Sequence, residues 1–291
     1  MSLSIRFRFL AATAISLLPF LCQGQAIVRS DTLFFDDFNG PALDRTKWNV
    51  EVNAHPPNQE QEAYVDSNAT VYISHGREAR GASGGVLVIR PLFIPGLTHP
   101  AGRITGLISG RINTRNKVEF IYGKASARMK LPAGQGFWPA FWILGNGHWP
   151  ETGEIDVMEN IGDPGWVSSA MHGPGYHGNT PLVRRDSFQL GEDITQWHVY
   201  QVDWTPDSLV FSVDGRPFYT VTKTMVTHYG PWAFSNQKYL ILNLALGGGY
   251  PKTEDQVVSP YFGLTQNAFQ KIKRRQAKVL IDWVLVTRRE E

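Results

Sequence analysis

Leu209-Val-Phe-Ser-Val213-Asp214-Gly215-Arg-Pro-Phe218-Tyr-Thr-Val221 sets two short runs of β-forming residues on either side of an Asp-Gly pair. Those two residue types tolerate the positive φ of a tight primed turn, so the stretch predicts a hairpin and antiparallel pairing. Similar runs recur at Val86–Arg90, Lys124–Leu131, Phe137–Leu144, Glu154–Glu159, Trp197–Trp204, Lys238–Leu246 and Val279–Val286. Gly and Pro punctuate them, and long helical periodicity is almost absent. Many short strands with regular turns predict an all-β fold, a two-sheet antiparallel β-sandwich without internal repeat or linker. One helix is expected over Asn267–Ala277, with Asn267 as N-cap and Phe269 and Ile272 on one face.

Sandwiches run to ~250 residues as one unit, so a chain of 291 residues is consistent with one domain. Gly 28 and Pro 18 together make about 16% of the chain, below the ~25–30% of low-complexity sequence. Charged residues are 19% and aromatics 12%, with Trp at 9. That balance argues against a disordered chain, a coiled coil or a highly charged nucleic-acid binder. Half of the Trp are expected in the core and half in a cleft.

Residues 1–25 read as a cleaved signal peptide: Arg6 and Arg8 are basic, Phe9–Leu21 is almost wholly apolar, and small or polar residues follow. The apolar run is shorter than the ~20 residues of a membrane span, and no later segment approaches that length. A lipid anchor on Cys22 is the weaker alternative, because Leu21 is bulky where a small residue is usual. A secreted protein, extracellular or periplasmic, with a single domain over 26–291 is expected. Without residues 1–25, Lys+Arg falls from 28 to 26 against 26 Asp+Glu, so the net charge is zero. Cys22 is the only cysteine, so the exported domain depends on its core and not on disulfides.

Chemistry concentrates in Trp149-Pro-Glu-Thr-Gly-Glu154-Ile-Asp156-Val-Met-Glu159-Asn160, where acids stand among apolar residues. Burying carboxylates is costly unless they have a task. In a regular strand Glu154 and Asp156 share a face, whereas Glu159, five residues after Glu154, points the other way. A single β-bulge at Val157-Met158 brings Glu159 back to its companions. Four effective steps of ~3.4 Å separate the outer α-carbons by about 13–14 Å, and two leaning Glu side chains close this to around 6 Å. That separation suits glycosidic cleavage and does not choose between retention at ~5–5.5 Å and inversion at ~6.5–9.5 Å. Asp156 between them raises the cost of ionising all three, which keeps one Glu protonated. Trp138, Trp142 and Trp149 lie nearby in sequence, and indole faces stack on the apolar faces of sugar rings.

With these residues the sequence resembles glycoside hydrolase family 16, in particular its laminarinase-like β-1,3-glucanases with a bulged E-x-D-x-x-E strand. Further matches are Phe38-Asn-Gly-Pro-Ala-Leu43-Asp-Arg-Thr-Lys-Trp48, Asn58-Gln-Glu-Gln-Glu-Ala-Tyr64, Ser109-Gly-Arg111-Ile-Asn-Thr, and Gly136-Phe-Trp138-Pro-Ala-Phe-Trp142. Met171-His172-Gly-Pro-Gly-Tyr176, Val202-Asp-Trp204, Ile241-Leu-Asn-Leu-Ala-Leu-Gly-Gly and Ile281-Asp282-Trp-Val continue in the family's order. A departure is Gly248-Gly249-Tyr250-Pro251, where the family usually has Gly-Gly-x-Trp-Pro.

The resemblance implies a concanavalin-like jelly roll with a concave substrate cleft and endo-acting, retaining hydrolysis of β-1,3-glucan, with mixed-linkage β-1,3-1,4-glucan as a further substrate. It implies Glu154 as nucleophile, Glu159 as general acid/base and Asp156 as the residue that positions and tunes them. Asn58, Arg111, Trp138, Trp142 and His172 resemble sugar-contacting positions, and Trp149 is grouped with them. No cofactor is expected for catalysis. Asp282 stands where many members hold a structural Ca²⁺. Its other reading is an ordinary strand Asp. A β-glucan partner, no nucleic acid, no membrane span and a monomer are expected. Alternatives are the same mechanism on a galactan such as agar or carrageenan, transglycosylation, and a non-catalytic carbohydrate-binding protein. The basic residues of 260–278, Lys271, Lys273, Arg274, Arg275 and Lys278, are read as a solvated helix face.

Overall fold

Asp214 and Gly215 adopt φ of 51° and 76°, the positive pair that a primed turn requires. Ser208–Val213 accordingly folds back on Arg216–Thr222 in antiparallel register. The computed structural model describes residues 31–99 and 105–288, which belong to one compact unit. The expected signal peptide lies outside the described residues.

Two large sheets dominate. One runs Arg216–Thr222, Ser208–Val213, His198–Trp204, Gly123–Lys130, Val279–Thr287, Val86–Ile89 and Val71–Ser74, with Thr32–Asp36 also paired to Val279–Thr287. The other runs Val183–Ser187, Trp166–His172, Glu154–Glu159, Phe137–Gly145, Lys238–Leu246, Arg111–Asn113 and Asn49–Val50. Every pairing in both is antiparallel, as expected. A third, small sheet contains the parallel pair Ala63–Tyr64 and Leu107–Ser109.

Alternation along the strands builds the core. In Lys238–Leu246, Leu240, Leu242, Leu244 and Leu246 join the hydrophobic cluster between the large sheets, while Asn243 and Ala245 line a cleft on the outer side. This is the two-residue period of a strand. The strand is buried throughout, because a central strand covered on both sides reads as a nearly continuous apolar run. Each large aliphatic side chain removed from water there contributes about 1.5–3 kcal/mol.

Some expectations change. Trp48 and Trp204 are fully buried, and their indole N–H groups donate to Asp36 Oδ2 at 2.8 Å and to the Phe234 carbonyl at 3.0 Å. Trp138, Trp142 and Trp149 line the cleft, but Trp166, Trp197, Trp232 and Trp283 are half-buried elsewhere. The equal division between core and cleft therefore does not hold. The expected helix spans Gln266–Lys273, and its N-cap is Thr265, whose hydroxyl accepts from the Ala268 N–H. It stops before Ala277 because Arg275 takes φ 57°, which an α-helix does not accommodate. Ala268 and Ile272 are buried, while Phe269 packs edge-on against Phe93 and Tyr261. Of the basic residues of 260–278, Lys271 donates to the Ala133 carbonyl and Lys278, beyond the helix, pairs with Glu78, so the expected solvated helix face does not describe these two. No helix among the described residues is long and apolar enough to cross a membrane.

Candidate active site

The strand Glu154–Glu159 carries the irregularity that its sequence demands. Asp156 opposes Ala170 and Glu159 opposes Ser168 on one neighbour, so three steps on this strand face two on the next. On the other neighbour Trp142 opposes Asp156 and Phe141 opposes Met158, which identifies Val157 as the extra residue of a β-bulge. Ile155, Val157 and Met158 turn into the hydrophobic core. Glu154, Asp156 and Glu159 line one cleft of about 340 Å³ on the outer face of the sheet.

Each carboxyl has a defined neighbour. The Trp149 indole N–H donates to Glu154 Oε2 at 2.9 Å, and the Trp138 indole N–H donates to Glu159 Oε1 at 2.8 Å. His172 Nε2 lies 3.2 Å from Asp156 Oδ2 and 3.8 Å from Glu154 Oε1. Burial pushes each of the three carboxyls up to about 8, and the Asp156 charge adds to the rise at both Glu154 and Glu159. A positive His172 and the two indole bonds act in the opposite sense. Carboxyls coupled in this way share protons as a group and do not all ionise near neutral pH.

The remaining nominated residues come to the same cleft. Asn58, Arg111, Trp138, Trp142 and Trp149 line it with the carboxylates, and His172 stands beside them. Trp149 is 42% exposed, so its ring is open to a ligand. Arg111 pairs with Glu51 at 2.9 Å and lies over the Trp142 ring at 4.7 Å, a cation–π contact that braces the indole.

Other participants were not nominated from the sequence. Trp142 donates to Asn243 Oδ1 at 2.8 Å, Asn243 to the Tyr64 hydroxyl at 3.2 Å, and Tyr64 to Glu60 Oε2 at 2.7 Å. Glu60 lines the cleft, and Glu62 is buried behind it, accepting the Leu246 N–H at 2.8 Å. Burial and then the charge of Glu60 push Glu62 well above the ordinary range. Burial raises Glu60 as well. Two acids in Asn58-Gln-Glu-Gln-Glu-Ala-Tyr64 spaced by one residue were the available signal. Tyr250, at the departure from the usual Trp, packs edge-on against Trp138 with ring centres 5.5 Å apart.

Asp282 lies away from the cleft. It is fully buried, its Oδ1 accepts the Ser83 N–H and hydroxyl, both at 2.8 Å, and its Oδ2 pairs with Arg128. Calcium needs six to eight oxygen ligands, whereas here a guanidinium and two hydrogen-bond donors take the carboxylate. These residues fit an ion pair and do not fit a calcium ligand set.

The sequence profile of the family described as "Glycosyl hydrolases family 16" matches residues 95–283. The chain is 34% identical over 250 residues to the glucan endo-1,3-beta-glucosidase A1 of Niallia circulans, covering 77% of this chain and 35% of that protein. It is 30% identical over 271 residues to the beta-glucanase of Rhodothermus marinus, covering 89% of this chain and 85% of that one. The X-ray structure of the endo-beta-1,3-glucanase from Pyrococcus furiosus superposes with a TM-score of 0.74 at 32% identity, covering 88% and 93% of the two chains.

Two stability measurements follow from these contacts. Glu62 keeps its proton when folded but loses it in the ordinary range when unfolded, so its contribution is fully present below the ordinary carboxyl range and falls steadily from there until pH passes the raised folded value. Glu62→Gln removes this dependence; urea titrations should show the variant gaining on wild type by an amount that grows steadily as pH rises from ~5 to ~8, with no gain near pH ~4. Arg128→Met leaves the Asp282 carboxylate buried and unpaired and should cost about 3 kcal/mol in the same titration. If Arg128 supplies the needed charge, chelation of calcium leaves the wild-type midpoint unchanged.

Proposed function

The chain belongs to family 16 of the glycosyl hydrolases, and on that premise we propose that it is an endo-acting, retaining β-1,3-glucanase. The observation that carries this reading is the bulge at Val157, which turns Glu159 into the cleft that Glu154 and Asp156 already line. Glu154 attacks the anomeric carbon while Glu159 protonates the leaving oxygen. Water, deprotonated by Glu159, then releases the sugar from Glu154. The two steps need one glutamate ionised and the other protonated. The shared protons of the cluster provide that division, with Asp156 and His172 tuning it. The chemistry requires no cofactor.

The choice of polymer is supported by the cleft's charge. Among the described residues lining it, Arg111 is the one Arg or Lys, and Glu51 neutralises it. A sulfated galactan calls for free cations, whereas a neutral glucan needs flat apolar platforms and hydrogen bonds. Trp138, Trp142 and Trp149 offer the platforms. Asn58 and Glu60 offer polar groups beside them. Mixed-linkage β-1,3-1,4-glucan fits the same features. The reading includes a protein exported by its first 25 residues that acts as a single chain.

Laminarin digestion with product sizing tests the proposal. Wild type should release internal fragments whose new reducing ends first appear as the β anomer by NMR. Glu159→Gln should lower kcat by ~10²–10⁴-fold, and Glu154→Gln should lose at least as much. Near-wild-type rates in either variant would reject the assignment. A second measurement concerns pH. The Asp156 charge raises Glu159, so Asp156→Asn lets the acid lose its proton at lower pH. The alkaline limb of its kcat/KM profile should move toward acid.

A further inference from the structure

Lys238 begins the strand Lys238–Leu246 and is fully buried, where the next inward-facing positions are Leu240, Leu242 and Leu244. An apolar side chain there would pack against Trp204 and Phe234, which Lys238 Nζ faces at 5.9 and 5.5 Å. A buried ammonium is costly unless it is surrounded by acceptors, and this one is. Four oxygens lie within reach of its three N–H groups: the carbonyls of Thr152, of Gly153 at 3.1 Å and of Ala233 at 3.2 Å, and Asn236 Oδ1 at 2.9 Å. Asn236 Nδ2 donates to the same Thr152 carbonyl at 3.1 Å.

These oxygens belong to the foot of one loop and its support. Gly153 directly precedes Glu154, and Trp149, four residues earlier, donates to Glu154 Oε2. Gly153 has φ 70°, and a Cβ there would sit 2.4 Å from the Ala233 carbonyl oxygen. Two chain segments are therefore pressed together with their carbonyl dipoles converging, an arrangement that repels itself without a cation between them. We propose that Lys238 is a positioning residue for the nucleophile: its ammonium gathers the Thr152, Gly153 and Ala233 carbonyls and so fixes the Trp149 indole against Glu154. Burial lowers the lysine to about 7, the Glu154 charge acts in the opposite sense, and the four oxygens favour the ammonium. The inference rests on the reading of Glu154 as nucleophile.

The test compares wild type, Lys238→Met, Trp149→Phe and the double variant on laminarin, well below each melting temperature. Lys238→Met should lower kcat roughly 10–100-fold with a much smaller change in KM. It should also move the acidic limb of the kcat profile to higher pH, because Glu154 loses both a nearby cation and a fixed donor. In the Trp149→Phe background the same substitution should cost little more, since both act through one contact. Wild-type kcat and pH profile in folded Lys238→Met, or additive losses in the double variant, overturn the proposal. If Lys238→Met does not fold, Asn236→Ala, which removes one acceptor and the bond to Thr152, decides it: a shifted acidic limb supports the inference and an unshifted one overturns it. Fluorescence of Trp149, taken as the difference between wild type and Trp149→Phe, should change when Lys238 or Asn236 is replaced. That readout does not require turnover, so it separates failure of this inference from failure of the glucanase assignment.

Discussion

A β-strand turns alternate side chains to opposite faces, and this period sets the problem that the site has to solve. Glu154 and Asp156 meet it without help, whereas Glu159 lies an odd number of residues from Glu154 and in regular register would enter the apolar layer. The extra residue Val157 changes that parity. Its consequence runs in both directions: Val157 and Met158 both pack into the core, and the third carboxyl is returned to the cleft. The bulge is tolerated because strands on both sides hold the register before and after it. Trp166–His172 and Phe137–Gly145 pair with this strand on either flank. Paired on both sides, the bulge is a fixed geometric element of the sheet.

Once three carboxyls share a cleft, loss of water becomes the dominant energy, and at both glutamates repulsion from the Asp156 charge adds to it. Both raise the affinity of the cluster for protons, so part of the group stays protonated near neutral pH, the state that a retaining mechanism needs. The indoles of Trp149 and Trp138 each donate to one glutamate. The same side chains thus offer a face for stacking and an edge that orients a carboxylate. In the proposed reading, these aromatic residues connect substrate binding to the protonation state, so a change in either ring would be felt in both.

Much of this was legible in the chain. The Asp214-Gly215 turn and the alternation of the strands disclose a sandwich, and the parity of Glu154, Asp156 and Glu159 discloses a bulge. Strand ends at Glu154–Glu159 and Lys238–Leu246 were read without error, because abrupt changes in polarity bound them. Short strands such as Arg111–Asn113 and the exposed Val183–Ser187 were not read. Three residues carry little periodic signal, and Val183–Ser187, with two Arg, one Asp and one Ser, lacks an apolar face of its own. The helix cap was misplaced by two residues because Thr265 and Asn267 are both competent caps, and local sequence does not choose between them. Asp282 was nominated for a metal by position alone, whereas its partner Arg128 lies 154 residues away, a separation that no local motif encodes.

The residues that the sequence concealed share a physical character: each is a polar group buried behind the cleft, where its chemistry depends on remote neighbours. Glu62 is neutralised by its own burial beside Glu60 and is tied to the Leu246 N–H across the fold. Lys238 is matched by oxygens from two loops. Neither gains from being in an apolar layer, since an isosteric amide or an aliphatic chain would avoid the desolvation. Both, however, lie immediately behind elements that carry functional side chains: Glu62 behind Glu60 and the Tyr64–Asn243–Trp142 chain, and Lys238 behind Trp149 and Glu154. A concave site on a sheet has no backbone of its own to hold it from the solvent side, so its geometry must be set from behind. Directional hydrogen bonds from buried groups do this with less freedom than apolar contacts, which allow side chains to slide. The cost of those groups falls on stability, and their return appears in the fixed orientation of the cleft.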